Sequence, residues 1–490
     1  MTFRRIRLSR NAMLVASATV ALSASAAMCS GASAGDLPAS PDGAQKLTSF
    51  FATYFGKQAK TTVTPANPGY DVVYDLGAAL AWLATEGISY DPALFKYHIV
   101  EQNDGTWRVE QTDIPPITEH VKDGSAAIAF SGVKNTAIVD PAIAWFRSVA
   151  GTVDKMTVQV HAPGVDENIE FDALQMSGEG KASGDGLASA TMHQTFGGFK
   201  GTVVAAGKAD DAKPTTIDLH SDALAVDVAL DGVKSRALLD VWAFLVAHPT
   251  RPEMASNEGA LKSLLTAALS SPAKIDESVT LAKLTVDTPQ GPVTTDAAKI
   301  GVGGMAGAAG AFEEHFSADG LSLPATLIPA QFRDFAPTSF AIGFRASGFN
   351  VAAAGAEAIA DMHLAGDGPA ISADDQAKIR AKLIGPDGIV VDIAPSHILA
   401  PQLDIAFEGH VVYKDGKPTG SFTVHMHNFD KTQAALKALG PEAEKKIVPM
   451  LAMVKGLAKT DPDGTLTWVG ELGPDGVMKV NGLPLGKSPL

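Results

Sequence analysis

A single cysteine, Cys29, stands in 490 residues, and it lies inside an N-terminal leader. A mature chain without that leader has no thiol, which excludes thiol catalysis, zinc–cysteine sites and a disulfide framework. Basic residues are also scarce. The chain carries 39 Lys and Arg against 54 Asp and Glu; without the four leader arginines the basic count is 35 and the net charge −19. That balance disfavours nucleic acid and anionic membrane surfaces as partners, and the dispersed carboxylates serve solubility. No run of about 20 strongly apolar residues is found, so no transmembrane segment is expected in the mature chain. Two catalytic signatures are missing as well, the G-x-S-x-G elbow and the H-E-x-x-H helix.

What is present begins with the leader itself. Arg4, Arg5, Arg7 and Arg10 form a basic region, Asn11 to Ala27 an alanine-rich apolar stretch, and Ala32-Ser33-Ala34 a small-x-small cleavage site. Residues 1–34 therefore read as a cleaved signal peptide, and the expected location is periplasmic. Ala24-Ser25-Ala26 is an alternative cleavage site. Met28 before Cys29, with Ala26 where Leu is usual, argues against lipidation. Arg7 falls where the twin-arginine route wants an apolar residue.

Downstream, Leu47, Phe50, Phe51, Tyr54 and Phe55 recur at helical spacing and predict one apolar helix face. Period-two alternation then dominates. Phe95 to Glu101 and Thr106 to Ile114 flank Asn103-Asp104-Gly105, a hairpin signal, and Lys414-Asp415-Gly416-Lys417 is another. Leu224, Val226, Val228 and Leu230 alternate with Ala225, Asp227, Ala229 and Asp231; Phe340 to Val351, Leu403 to Tyr413 and Ser421 to Asn428 look similar. Pro-Asp-Gly at Pro41, Pro386, Pro462 and Pro474 reads as turn punctuation. Helices are expected at Arg236 to His248 and Asn257 to Leu269, after Ser372 as a cap, after Asp430 as a cap, and from Pro441 to about Lys459. The fold class is α+β: a long, mostly antiparallel sheet of hairpins and meanders with inserted amphipathic helices. Prolines 249, 252 and 272 suggest a soft boundary between regions 35–260 and 261–490, with one continuous sheet as the alternative.

The run Gly420-Ser-Phe-Thr-Val-His-Met-His-Asn-Phe-Asp leads into Gln433-Ala-Ala-Leu-Lys-Ala-Leu-Gly, a second helix and a closing hairpin ending Val480-Asn-Gly-Leu-Pro-Leu-Gly486. Over about the last 70 residues this ending resembles an uncharacterised Gram-negative envelope family, domain of unknown function 2125. It is also similar to more distant envelope proteins with repeated strands and a terminal hairpin. The resemblance implies an exported, β-rich fold and, by analogy alone, lipid handling. It brings no catalytic residues.

Four motifs carry chemistry at first sight. Gly301-Val302-Gly303-Gly304-Met305-Ala306 matches G-x-G-x-x-A, but antiparallel surroundings favour glycines that let strands approach closely, and no cofactor is expected. Ser271-Pro272-Ala273-Lys274 has S-x-x-K spacing without its partner motifs, and Lys417-Pro418-Thr419-Gly420 is a broken Lys-Thr-Gly. Asp461-Pro462-Asp463-Gly464 lacks the further oxygens of a calcium loop and reads as a turn. His425 and His427 flank Met426 on a strand and project from one face, with Phe422, Val424 and Met426 on the other. His410 on the partner strand is a third candidate metal ligand, and Asp404 or Glu408 a carboxylate; two polar histidines on a solvated face are the plainer reading.

The leading expectation is a non-enzymatic, exported envelope protein whose apolar sheet face takes a lipid or other apolar ligand. Leu224, Val226, Val228, Leu230, Phe340, Ile342 and Phe344 are the candidate lining residues. A closed core produces the same alternation. Two alternatives come from other classes: an assembly factor with an envelope protein partner, and a metal-dependent hydrolase on His425 and His427. Oligomeric state is left open.

Overall fold

A computed structural model describes residues 35–184, 186–206, 214–366 and 368–487. The leader, Cys29 and the cleavage sites lie outside the described residues. Strands take 52% and helices 24%, with a large antiparallel sheet, so the class is α+β. No helix among the described residues is long and apolar enough to cross a membrane.

Two compact units divide the chain. One runs to Ala273 and takes back Ile359–Ser372; the other is Lys274–Ala358 together with the residues from Ala373 onward.

The first unit is organised by two long strands, Trp145–Ala162 and Val165–Gly184, paired antiparallel from Val165↔Ala162 to Glu179↔Ser148. Each outlasts its neighbours, so its other edge serves two shorter strands in succession. Lys134–Asp140 and Gly124–Ser131 divide the edge of the first; Gly198–Ala205 and Leu187–Phe196 divide that of the second. The helix Pro41–Tyr54 closes one face. Ser40 caps it by accepting the Gly43 N–H at 3.0 Å, and Pro41 occupies its first turn, where a missing N–H costs nothing. Pro41-Asp42-Gly43 is therefore a helix start and not the turn expected from its composition.

Leu47 and Phe51 are buried, Phe51 lying 5.5 Å from the Tyr74 ring, which in turn stacks 5.5 Å from Phe95. Each such side chain contributes about 1.5–3 kcal/mol by leaving water. Phe50 is 46% exposed, so the buried stripe is narrower than the helical periodicity predicts. Two further helices, Ser235–Ala247 and Glu258–Leu269, complete the unit with the short Arg251–Ser256 between them.

The second unit is a meander. Lys274–Thr288, Gly291–Met305, Gly310–Asp319, Ser339–Phe349, Ile389–Ala400, Leu403–Lys414 and Lys417–His427 each pair antiparallel with the next. Leu466–Leu472, Val477–Val480 and Leu483–Lys487 continue the series. Asp415 (φ 52°) and Gly416 (φ 75°) both adopt the left-handed region that a two-residue hairpin turn requires, which sets Lys414 opposite Lys417. Gly301 to Gly304 are strand residues within Gly291–Met305, paired with 275–278 on one side and 312–315 on the other.

Helices Phe429–Lys437 and Pro441–Leu457 fill the excursion between His427 and Leu466. Asn428, not Asp430, holds the cap position: its φ of 55° turns the chain from strand directly into helix, so Asp430 falls in the first turn. There Asp430 meets the Lys455 Nζ at 2.6 Å.

Candidate functional site

In antiparallel pairs, directly opposed residues share a face. Following the register of the second unit from strand to strand therefore maps its two sides. Val279 faces Ile300, Ile300 faces Phe316, and Phe316 faces Ile342. Ile275 faces Gly304, which faces Phe312, and the Phe312 and Phe344 rings lie 6.4 Å apart. Phe344 faces Ile393; Phe340 faces Ile398, which continues through Ile405 and Met426 to Leu466. One apolar face thus crosses the sheet from its first strand to Leu466–Leu472.

The two ends of this face differ. At the later strands the helices cover it around Met426: Met426, Phe429 and Leu466 are buried, and the Trp468 Nε1 donates to the Val454 carbonyl at 2.8 Å. Tyr413 and Phe422, further along the same strands, stay exposed. At the first three strands, Ile275, Ile300, Val302, Phe312 and Phe316 stay 37–46% exposed. Scattered exposed apolar residues need no explanation, but five on one face of three adjacent strands form a patch of the kind that marks a binding surface. Phe340, Ile342 and Phe344 are half-buried between the two ends. Glu277 and Glu314, on either side of Val302, are the acidic interruptions.

The opposite face is polar. His425 stands opposite Thr467, and its Nδ1 lies 2.9 Å from the Thr467 Oγ1. The Thr467 hydroxyl donates to the Asp461 Oδ2 at 2.6 Å. His427 repeats the arrangement, with Nδ1 at 2.8 Å from the Thr465 Oγ1, which donates to the Asp463 Oδ2 at 3.0 Å. The turn that holds both carboxylates is closed by the Gly464 N–H on the Asp461 carbonyl. The Thr465 N–H and hydroxyl hold the Asp463 carboxyl below its ordinary range.

His410 is not brought to this pair. It stands opposite Ser421, four residues and about 13 Å along the strand from His425, and its Nδ1 meets the Asp392 Oδ1 at 2.6 Å. Asp404 is opposite His427 and Glu408 opposite Thr423. Among the described residues no group of three or more His, Cys, Asp and Glu side chains is disposed to hold one metal ion.

The remaining candidates lie elsewhere. Leu224 and Val226 pack against the core of the first unit, and Val228 and Leu230 are half-buried on the same strand. Ser271 is buried and donates to the Gly232 carbonyl, while Lys274 opens a strand and pairs with Asp276 at 2.8 Å, so no Ser–Lys helical turn exists. Asp461 to Gly464 form a turn. The sequence reading missed Ile275, Ile300, Val302, Phe312 and Phe316, although Ile300-x-Val302 and Phe312 with Phe316 carry the period-two signal. It also missed Thr465 and Thr467, whose Thr-x-Thr spacing mirrors His-x-His.

No curated protein and no solved structure matches the chain. The pattern of a family described as uncharacterized protein conserved in bacteria, DUF2125, matches residues 242–489, half of the chain and far more than the ending that resembled it; the chain belongs to that family.

Proposed function

We propose that the protein is an exported component of the bacterial cell envelope, and that its second unit holds the hydrocarbon part of a lipid on the open end of its apolar sheet face. The observation that carries this reading is the joint exposure of Ile275, Ile300, Val302, Phe312 and Phe316 on one side of three adjacent strands. Hydrocarbon needs no hydrogen bonds from its site, and these side chains offer none. Three strands at about 4.8 Å spacing make the open end about 10 Å wide, enough for a hydrocarbon chain lying along the strands. The arginine-rich leader with its Ala32-Ser33-Ala34 site supports export.

The test is mass spectrometry of an organic extract of the protein purified from its native host. A defined lipid near one per chain supports the proposal; an extract without lipid, from protein that also fails to take up a fluorescent fatty acid, overturns it.

One observation favours a second reading, assembly with another protein. The strand Leu483–Lys487 pairs with Val477–Val480, and Leu483, Leu485 and Met478 are 52%, 49% and 40% exposed. An apolar strand at a sheet margin is a template for strand addition. Truncation after Gly482 should then abolish a co-purifying partner while leaving lipid content unchanged.

A further inference from the structure

We propose that His425 and His427 bind one divalent transition-metal ion of borderline softness, zinc, copper or nickel, through their Nε2 atoms on the polar face of the second unit. Proton counting on the two threonines carries this. A threonine hydroxyl has one hydrogen to give. That of Thr467 goes to the Asp461 carboxylate and that of Thr465 to the Asp463 carboxylate, since ionised carboxylates only accept. Each hydroxyl oxygen can therefore only accept from the histidine facing it, and each Nδ1 must carry a hydrogen. In the neutral rings the lone pair then sits on Nε2 in both cases.

Two imidazoles two residues apart on a strand project from the same side. Both have Nδ1 turned toward the neighbouring strand, which leaves both Nε2 atoms for one ion. Metal-binding histidines characteristically donate their second ring nitrogen to a carboxylate, a carbonyl or a water, which fixes tautomer and ring orientation. Here a threonine hydroxyl takes that place and relays each ring to a carboxylate: Thr465 and Thr467 are 6% and 9% exposed, their hydroxyls donate to Asp463 and Asp461, and the Asp461–Gly464 turn fixes both carboxylates. Four other histidines on this protein's strands are handled differently. His98, His161, His193 and His410 each meet an aspartate directly across or beside their strand.

The protein supplies two ligands, so water or a second molecule takes the remaining positions, as in open metal sites. Imidazole without thiolate suits zinc, copper and nickel rather than calcium or magnesium. The site lies on the face opposite the proposed lipid surface, so its failure would leave that proposal standing.

The test is calorimetric titration of untagged mature protein, stripped with chelator, with zinc sulfate. The expected result is saturable one-to-one binding. His425→Gln with His427→Gln should abolish it, and Thr465→Val with Thr467→Val should weaken it about tenfold through loss of the outer partners. His410→Gln should leave it unchanged. Thermal melts of each variant check folding. Absence of one-to-one binding by the wild-type protein, which needs no variant, overturns the proposal. So does binding that survives removal of both histidines in a protein with an unchanged melt.

Discussion

Phe316 faces Ile342 across one strand pair and Ile300 across the other, yet keeps 37% of its surface exposed. Aromatic side chains flanked by aliphatic neighbours on both sides are ordinarily the centre of a core. Here the sheet supplies the flanks and leaves the top open.

That openness predicts a separation of stability from binding. Phe312→Ser with Phe316→Ser should cost the second unit only about 1 kcal/mol per site, since each ring is only partly withdrawn from water. Binding of a fluorescent fatty acid should weaken about tenfold, the equivalent of about 1.4 kcal/mol. Melting curves and a fluorescence titration on the same samples read both quantities.

The covered end behaves oppositely. Leu466 is 3% exposed beneath the helices that follow His427. Leu466→Ala should cost about 2–5 kcal/mol by leaving a cavity. Trp468, whose Nε1 bonds to the Val454 carbonyl, reports on the same contact. The tryptophan emission, to which Trp468 contributes one of five fluorophores, should shift slightly to the red in the variant, without loss of strand content by circular dichroism.

Alkaline pH tests the core of the first unit. Burial pushes the Tyr97 hydroxyl up to about 12 and raises that of Tyr74 well above its ordinary value. The folded chain thus keeps protons that the unfolded chain releases from about pH 10 upward. Stability is accordingly full below pH 10 and falls as the pH rises toward the folded values. Tyr97→Phe should flatten part of that decline, measured as unfolding free energy against pH, and a spectrophotometric titration should show buried tyrosines ionising later than exposed ones.

Much of this was legible in the residues. Asp415-Gly416 specifies its turn locally, because two consecutive positive φ angles suit these residue types. Counting back from that turn sets His410 opposite Ser421 and Asp404 opposite His427, so the distance of His410 from the histidine pair follows from hairpin arithmetic alone. Phe340, Ile342 and Phe344 announce a shared face by alternation. What alternation cannot convey is whether that face is roofed, since an open and a closed sheet have the same period. Nor could local pattern join His425 to Thr467, because two helices intervene and only the pairing across them brings the threonines alongside. Asp430 misled for a simple reason: a left-handed Asn428 starts the helix two residues earlier than an aspartate cap would.

The measurement that tests the lipid surface most directly is cross-linking with a photoreactive fatty acid, followed by peptide mapping. The expected result is labelling concentrated on Ile300, Val302, Phe312, Phe316 and Phe344, competed away by unlabelled fatty acid. Labelling confined to the polar face around His410 and Ser421, or spread without competition over both units, would contradict it.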